Sequence, residues 1–96
     1  MRITIASIQR AVADRHHVSV KAIRGPSRRP QTVRARHAAV YLARRLTPHS
    51  YAVISRWFGG RDHSTLIHSC KRVQERIHRN QKSRVFIARM IDELTQ

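Results

Sequence analysis

The segment Asp62-His63-Ser64-Thr65 sets four consecutive short polar side chains directly behind Gly59-Gly60-Arg61. A helix start needs one capping side chain, and Ser, Thr, Asp or Asn suits that task. Four in a row exceed it. Each of these groups donates or accepts hydrogen bonds at short reach, which is the chemistry that reads the polar edges of base pairs. Ser64 and Thr65 can bond base edges or phosphates, and the Thr65 methyl can touch a thymine methyl. His63 can serve either phosphate or base. Asp62 has two readings: an N-cap favoured by the helix dipole, or an acceptor for the N4 amine of cytosine, the contact that repays a carboxylate its repulsion from phosphates. One carboxylate can do both.

The charge of the chain fits that chemistry. Twenty Lys and Arg face five Asp and Glu in 96 residues, a formal charge of +15, and no carboxylate lies between Asp14 and Asp62. Such a field opposes folding by self-repulsion and is expected where the partner is a polyanion. Nucleic acid is the leading candidate. A basic module docking on acidic lipid or on an acidic protein surface by charge alone is the alternative from another class. The cations are mostly arginine, which suits bidentate contacts to phosphate and guanine. The stretch from Arg24 to Arg36, stiffened by Pro26 and Pro30, reads as a basic loop that contacts DNA rather than as a merely solvated one.

Helices must carry these groups, because apolar residues recur at helical spacing and no strand alternation stands out. Thr4 caps a first helix over about 5–17, with Ile5, Ile8 and Val12 on one stripe. Ser19 caps a short second helix at about 20–24. Residues 25–31 read as a loop. Thr32 caps a third helix to about Leu46, whose inner stripe is Ala35, Ala38, Ala39, Leu42 and Leu46. Pro48 ends it, and Ser50 caps a fourth helix through about Phe58, anchored by Ile54, Trp57 and Phe58. Gly59-Gly60 stops that helix by taking left-handed conformations. Asp62 or Ser64 caps the fifth, with Leu66, Cys70, Val73 and Ile77 inward, and Ser83 caps the last, with Ile87, Met90, Ile91 and Leu94 inward. The expected fold is one all-α domain over 1–96, a compact bundle of about six helices. Its fourth helix, glycine turn and fifth helix have the helix-turn-helix pattern, in which the second helix enters the major groove by its N-terminal end.

The run Phe58-Gly59-Gly60-Arg61-Asp62-His63-Ser64-Thr65-Leu66-Ile67-His68 closely resembles the signature of the C-terminal DNA-binding domain of the bacterial replication initiator family DnaA. The resemblance extends to Ile3-Thr4-Ile5 with Ile8-Gln9, to Tyr41-Leu42-Ala43-Arg44, and to Leu46-Thr47 before Ser50. It implies a six-helix domain on a short asymmetric duplex site, the DnaA box. Asp62, His63, Ser64 and Thr65 would read bases in the major groove, and Arg28 or Arg29 would enter the adjacent minor groove. Arg36 matches the arginine of the family's Pro-Arg-Gln motif and is expected at the phosphate backbone. Arg34, His37, Arg44, Ser50, Tyr51, Arg61 and His68 are expected there too. The chain departs from the family at Ala35 and His37 in that motif, at Tyr51-Ala52 where Leu-Pro is usual, and at Trp57 where a small residue is common. Those departures leave room for a helix-turn-helix regulator with a different site.

Other functions find little support. The carboxylates are too few and scattered for acid–base chemistry, and no nucleophile–base arrangement stands out, so no catalytic residue is expected. No cofactor is expected, since no Gly-rich phosphate loop ending in Gly-Lys-Ser/Thr is present. His63 and His68 stand about 140° apart around a helix, and Cys70 falls on the apolar stripe as a small hydrophobe, so no metal site is expected. The single cysteine fits a reducing compartment. With no secretory or membrane-spanning run, the expectation is a cytoplasmic, nucleoid-associated protein, monomeric on DNA, acting in replication or transcription. The chain reads either as a stand-alone relative of the initiator domain or as a piece of a larger initiator, and Met1 just ahead of the first helix favours the former.

Overall fold

The computed structural model describes residues 2–96, and among the described residues six helices follow one another: α1 (Ile5–His16), α2 (Val20–Arg24), α3 (Pro30–Leu46), α4 (Tyr51–Trp57), α5 (His63–Arg79) and α6 (Gln81–Thr95). The all-α expectation holds. α3 packs against each of the other five. Its buried alanines, Ala35, Ala38, Ala39 and Ala43, let neighbouring helices approach closely. Ile8 and Val12 of α1, Ile23 of α2, Ile54 of α4, Leu66 and Val73 of α5, and Met90 of α6 close the core around them.

Local chemistry explains the helix ends. Thr4 and Ser7 form a reciprocal capping box at the start of α1, which satisfies two amides left over by the helix. His17 ends α1 in the left-handed region at φ 56°, one residue earlier than its hydrophobic period suggested. Ser19 and Ser50 accept from Ala22 N and Val53 N as caps of α2 and α4.

Two boundaries differ from the expectation. α3 begins at Pro30 rather than behind Thr32. Proline is suited to a first helical position because its missing N–H would have no partner there. Thr32 is then inside the helix and only 3% exposed, and the loop shrinks to 25–29. α6 is capped by Asn80, whose side-chain oxygen accepts from Ser83 N at 3.2 Å, not by Ser83. Asn80 alone joins α5 to α6. Trp57 is partly buried while Phe58 is wholly so, and Leu46, Ile77, Ile91 and Leu94 pack at the margin of the core.

The turn between α4 and α5 is built on Ser55. Its carbonyl accepts from Phe58 N at 3.0 Å and Gly60 N at 2.8 Å, and its hydroxyl donates to the Arg61 carbonyl. Gly59 and Gly60 both have positive φ, 76° and 72°. They are not equivalent. A Cβ on Gly59 would lie 2.6 Å from the Arg24 carbonyl oxygen, whereas one on Gly60 would meet nothing within 4 Å. Gly60→Ala is therefore expected to cost about 1–2 kcal/mol for the left-handed backbone alone. Gly59→Ala is expected to cost about 3 kcal/mol, because displacement from α2 adds an overpacking cost. Urea unfolding of the two variants measures the difference, and equal losses would show that the turn is not seated on α2.

Candidate nucleic-acid interface

The first turn of α5 follows a turn whose conformation glycine alone adopts without strain, and it stands clear of the core. Asp62, His63, Ser64 and Thr65 are all exposed, and Leu66 is the first residue of α5 to be fully buried. Asp62 holds the N-cap position, yet its side chain caps no backbone amide. Its carboxylate instead accepts from the Ser64 hydroxyl at 2.6 Å. That hydrogen bond holds the Asp62 carboxyl below its ordinary range, so it is ionised at neutral pH. Two of the four polar groups are thus already paired, which fixes their directions while leaving Asp62 lone pairs free. His68 is also exposed on α5.

Beside this helix start lies the loop 25–29, held there by two arginines. Arg36 of α3 is only 7% exposed. Its Nε donates to the Ile23 carbonyl at 2.8 Å, and its Nη2 stands 3.0 Å from the carbonyls of Ala22, Gly25 and Ser27. Arg61 reaches the same place from the α4–α5 turn, donating to the carbonyls of Gly25 and Phe58 and, at 3.4 Å, of Arg24. A helix leaves its last carbonyls without intrahelical partners. Here two guanidinium groups satisfy those of α2 and add favourable charge at its negative end. Burial lowers both guanidinium pKa values, and the nearness of Arg61 lowers that of Arg36 further.

Arg36 and Arg61, both expected at the phosphate backbone, turn donors to protein carbonyls and so organise the loop, and both also line the hollow between the loop and the turn. The sequence did hold a signal for Arg36. It falls at helical spacing with Ala39, Val40 and Ala43, all buried, and an arginine on an apolar stripe must find acceptors inside the protein. Nothing comparable marks Arg61.

The other expected residues separate into groups. Arg28 and Arg29 are exposed on the loop. With Arg24, Pro26 and Gly59, Arg28 borders a hollow of about 520 Å³ between the loop and the turn. Arg24, the first residue of the basic stretch expected to contact DNA, lies over the Trp57 ring at 5.5 Å from its centroid. Arg44 stacks on the Tyr51 ring at 4.6 Å and donates to the His49 carbonyl at 3.0 Å. Ser50 is used as the α4 cap. Arg34 stands apart, with His16 and Arg76 around a separate hollow.

His37 lies in the seam between α3 and α5. Its buried Nδ1 has no hydrogen-bond partner in the protein. Burial, followed by the charges of Arg76, His68, Arg72 and Arg36, lowers its pKa to about 4. Among the described residues no group of three or more His, Cys, Asp or Glu is placed to hold a metal ion. No helix is long and apolar enough to cross a membrane.

A short helix, a glycine turn and a longer helix with an exposed polar first turn define a helix-turn-helix domain of the nucleic-acid-binding class. Comparison with known proteins narrows that class. Residues 5–73 match the family described as bacterial dnaA protein helix-turn-helix, and the chain belongs to it. The family module binds DNA and is not catalytic. Among similar proteins are chromosomal replication initiator proteins DnaA of Sphingopyxis alaskensis, 47% identical over 73 residues, and of Cereibacter sphaeroides, 42% identical over 74. That of Geotalea daltonii is 36% identical over 92 residues, or 96% of this chain. The chain spans only 16% to 21% of the length of these relatives.

The state of His37 sets a pH dependence of stability. Its folded pKa of about 4 lies below the ordinary 6.5. The contribution is present above pH 6.5 and is lost as pH falls toward 4, because the unfolded chain takes up the proton first. Urea unfolding of His37→Gln should show a stability–pH slope between pH 6 and 4.5 shallower by up to about 1.4 kcal/mol per pH unit. An unchanged slope would mean that His37 titrates normally in the folded protein.

Proposed function

We propose that this chain binds double-stranded DNA sequence-specifically at DnaA-box-like sites. The first turn of α5 would lie in the major groove, and the 25–29 loop would reach the adjacent minor groove. The observation that carries this reading is the fixed placement of two exposed elements side by side. Asp62 to Thr65 and Arg28-Arg29 flank the turn that Arg36 and Arg61 tie to the end of α2. A single recognition helix with a loop on one side suits an asymmetric site and a monomer on DNA.

In this reading Asp62 accepts from a cytosine amine while the hydrogen bond from Ser64 holds its carboxylate in direction. His63, Ser64 and Thr65 supply the remaining base contacts. Arg28 or Arg29 tests the narrow groove, where the phosphate potential attracts arginine. Arg44, Tyr51 and His68 would supply contacts to the phosphate backbone. The biological setting would be the nucleoid in the cytoplasm, with control of replication initiation or of transcription as the outcome. The relatives are named as chromosomal replication initiators, which supports the former. The Arg44–Tyr51 stack at the start of α4 favours a second reading with an altered site, since it adds bulk where the helix-turn-helix meets the strand.

Selection of bound duplexes from a random library identifies the site, and titration against salt weighs its electrostatic part. The observed affinity should fall with a log–log slope of about −0.9 per phosphate contacted, while preference for the selected sequence survives at high salt. His63→Ala should weaken the selected duplex by about 1–3 kcal/mol and leave a scrambled duplex nearly unaffected. Equal binding of a DnaA-box duplex and its scramble at every salt concentration contradicts the proposal. Tighter binding to anionic vesicles than to either duplex contradicts it as well.

A further inference from the structure

Behind the reading head the molecule has a second concentration of positive charge. The ends of α3 and α5 facing it, with α1 and α6, enclose a hollow of about 430 Å³. Arg34 from α3, Arg76 from α5, Lys82 from α6 and His16 from α1 line it, and no carboxylate does. Among the described residues there are two ion pairs, Arg15 with Glu93 and Arg72 with Glu75, and neither involves these cations. Asn80 and Ser83, at the start of α6, add polar groups at the positive end of a helix dipole. The floor is apolar, with Val73, Ile87 and the Phe86 ring.

Like charges from three helices converge here, and Arg34 and Arg76 push against each other and disfavour a charge on His16. A dianion held by guanidinium and ammonium groups would reverse the sign of that interaction through charge-assisted hydrogen bonds. His16 is poised to add to it. Its Nδ1 lies 3.1 Å from the Val12 carbonyl, which can only accept, so Nδ1 carries the proton and Nε2 is left to take up another. The Phe86 ring meets the His16 ring edge-on at 5.0 Å between centroids, which places an apolar surface beside the cations. Arg76 is roughly 20 Å along α5 from His63 at a helical rise of about 1.5 Å per residue, away from the base-reading turn.

We infer that this hollow is a binding site for a small phosphorylated ligand, its phosphate held by Arg34, Arg76 and Lys82 and its apolar part laid against Phe86. Nucleic acid would present the same phosphate chemistry, so the test must separate the two sources.

Inorganic phosphate and phenyl phosphate are titrated into the full chain at constant ionic strength and followed by NMR. Saturable shifts should be confined to the His16 ring, the Lys82 and Ser83 amides and the Arg76 side chain, and phenyl phosphate should bind more tightly than phosphate. The His16 pKa, lowered in the free protein by burial and by Arg34, Arg76 and His17, should rise on binding. Arg76→Gln should weaken phenyl phosphate about tenfold, the loss of one charge-assisted hydrogen bond, while duplex binding and its salt slope stay unchanged. Should Arg76→Gln fail to fold, Lys82→Gln, at an exposed position, serves in its place. Unsaturable shifts spread over all basic helices, or equal binding by wild type and variant, would overturn the proposal. So would a variant whose salt slope on duplex DNA drops by about one, because the hollow would then hold a DNA phosphate.

Discussion

The arrangement depends on one exchange: the carbonyls that end α2 accept from the guanidinium groups of Arg36 and Arg61. The Gly25 carbonyl receives both. Arg36 comes from the central helix and Arg61 from the turn before α5, so this oxygen joins three parts of the chain distant in sequence. Each bond offsets a group that would otherwise be buried and unpaired, at a cost of about 1–3 kcal/mol per group. Gly59 permits the approach, since any Cβ there would strike the neighbouring Arg24 carbonyl. The loop carrying Arg28 and Arg29 and the helix start carrying Asp62 to Thr65 consequently have one fixed relation.

The same view orders the charge of the chain. A formal +15 can be tolerated in so small a fold only if the cations are spent differently. Some turn inward to carbonyl acceptors, as Arg36 and Arg61 do. Others lie over rings, as Arg24 does on Trp57 and Arg44 on Tyr51, where the ring faces attract cations. Others pair with acids, as Arg15 does with Glu93 and Arg72 with Glu75, while Arg28 and Arg29 stand exposed on the loop. His37 is kept neutral in the midst of them, which avoids adding a further charge to the α3–α5 seam.

Much of this was legible in the sequence, because helical period and caps are local properties. The apolar stripes of α1 and α5, the Ser19 and Ser50 caps and the glycine stop after Phe58 all emerge from residue type and spacing. The failures were also physical. Thr32 looks like a cap, but Pro30 starts the helix three residues sooner than a Thr32 cap would, and Asn80 pre-empts Ser83 in the same way. Among site residues, exposure of Asp62 to Thr65 follows from their polarity, whereas the inward turn of Arg61 depends on where α2 ends in space. No local pattern encodes that. The grouping of Arg34 was illegible for the same reason: its neighbours around the second hollow come from α1, α5 and α6.

The central claim is that Arg36 acts on DNA binding by positioning the loop rather than by touching the duplex. A double-mutant cycle on duplex affinity tests it most directly, under conditions where circular dichroism shows every variant folded. Arg36→Ala should cost about tenfold in the wild-type chain. In a chain already carrying Arg28→Ala and Arg29→Ala it should cost no more than about twofold, the non-additivity expected of residues acting through one element. The same loss in both backgrounds would contradict the account, because Arg36 would then contribute to binding independently of the loop it holds.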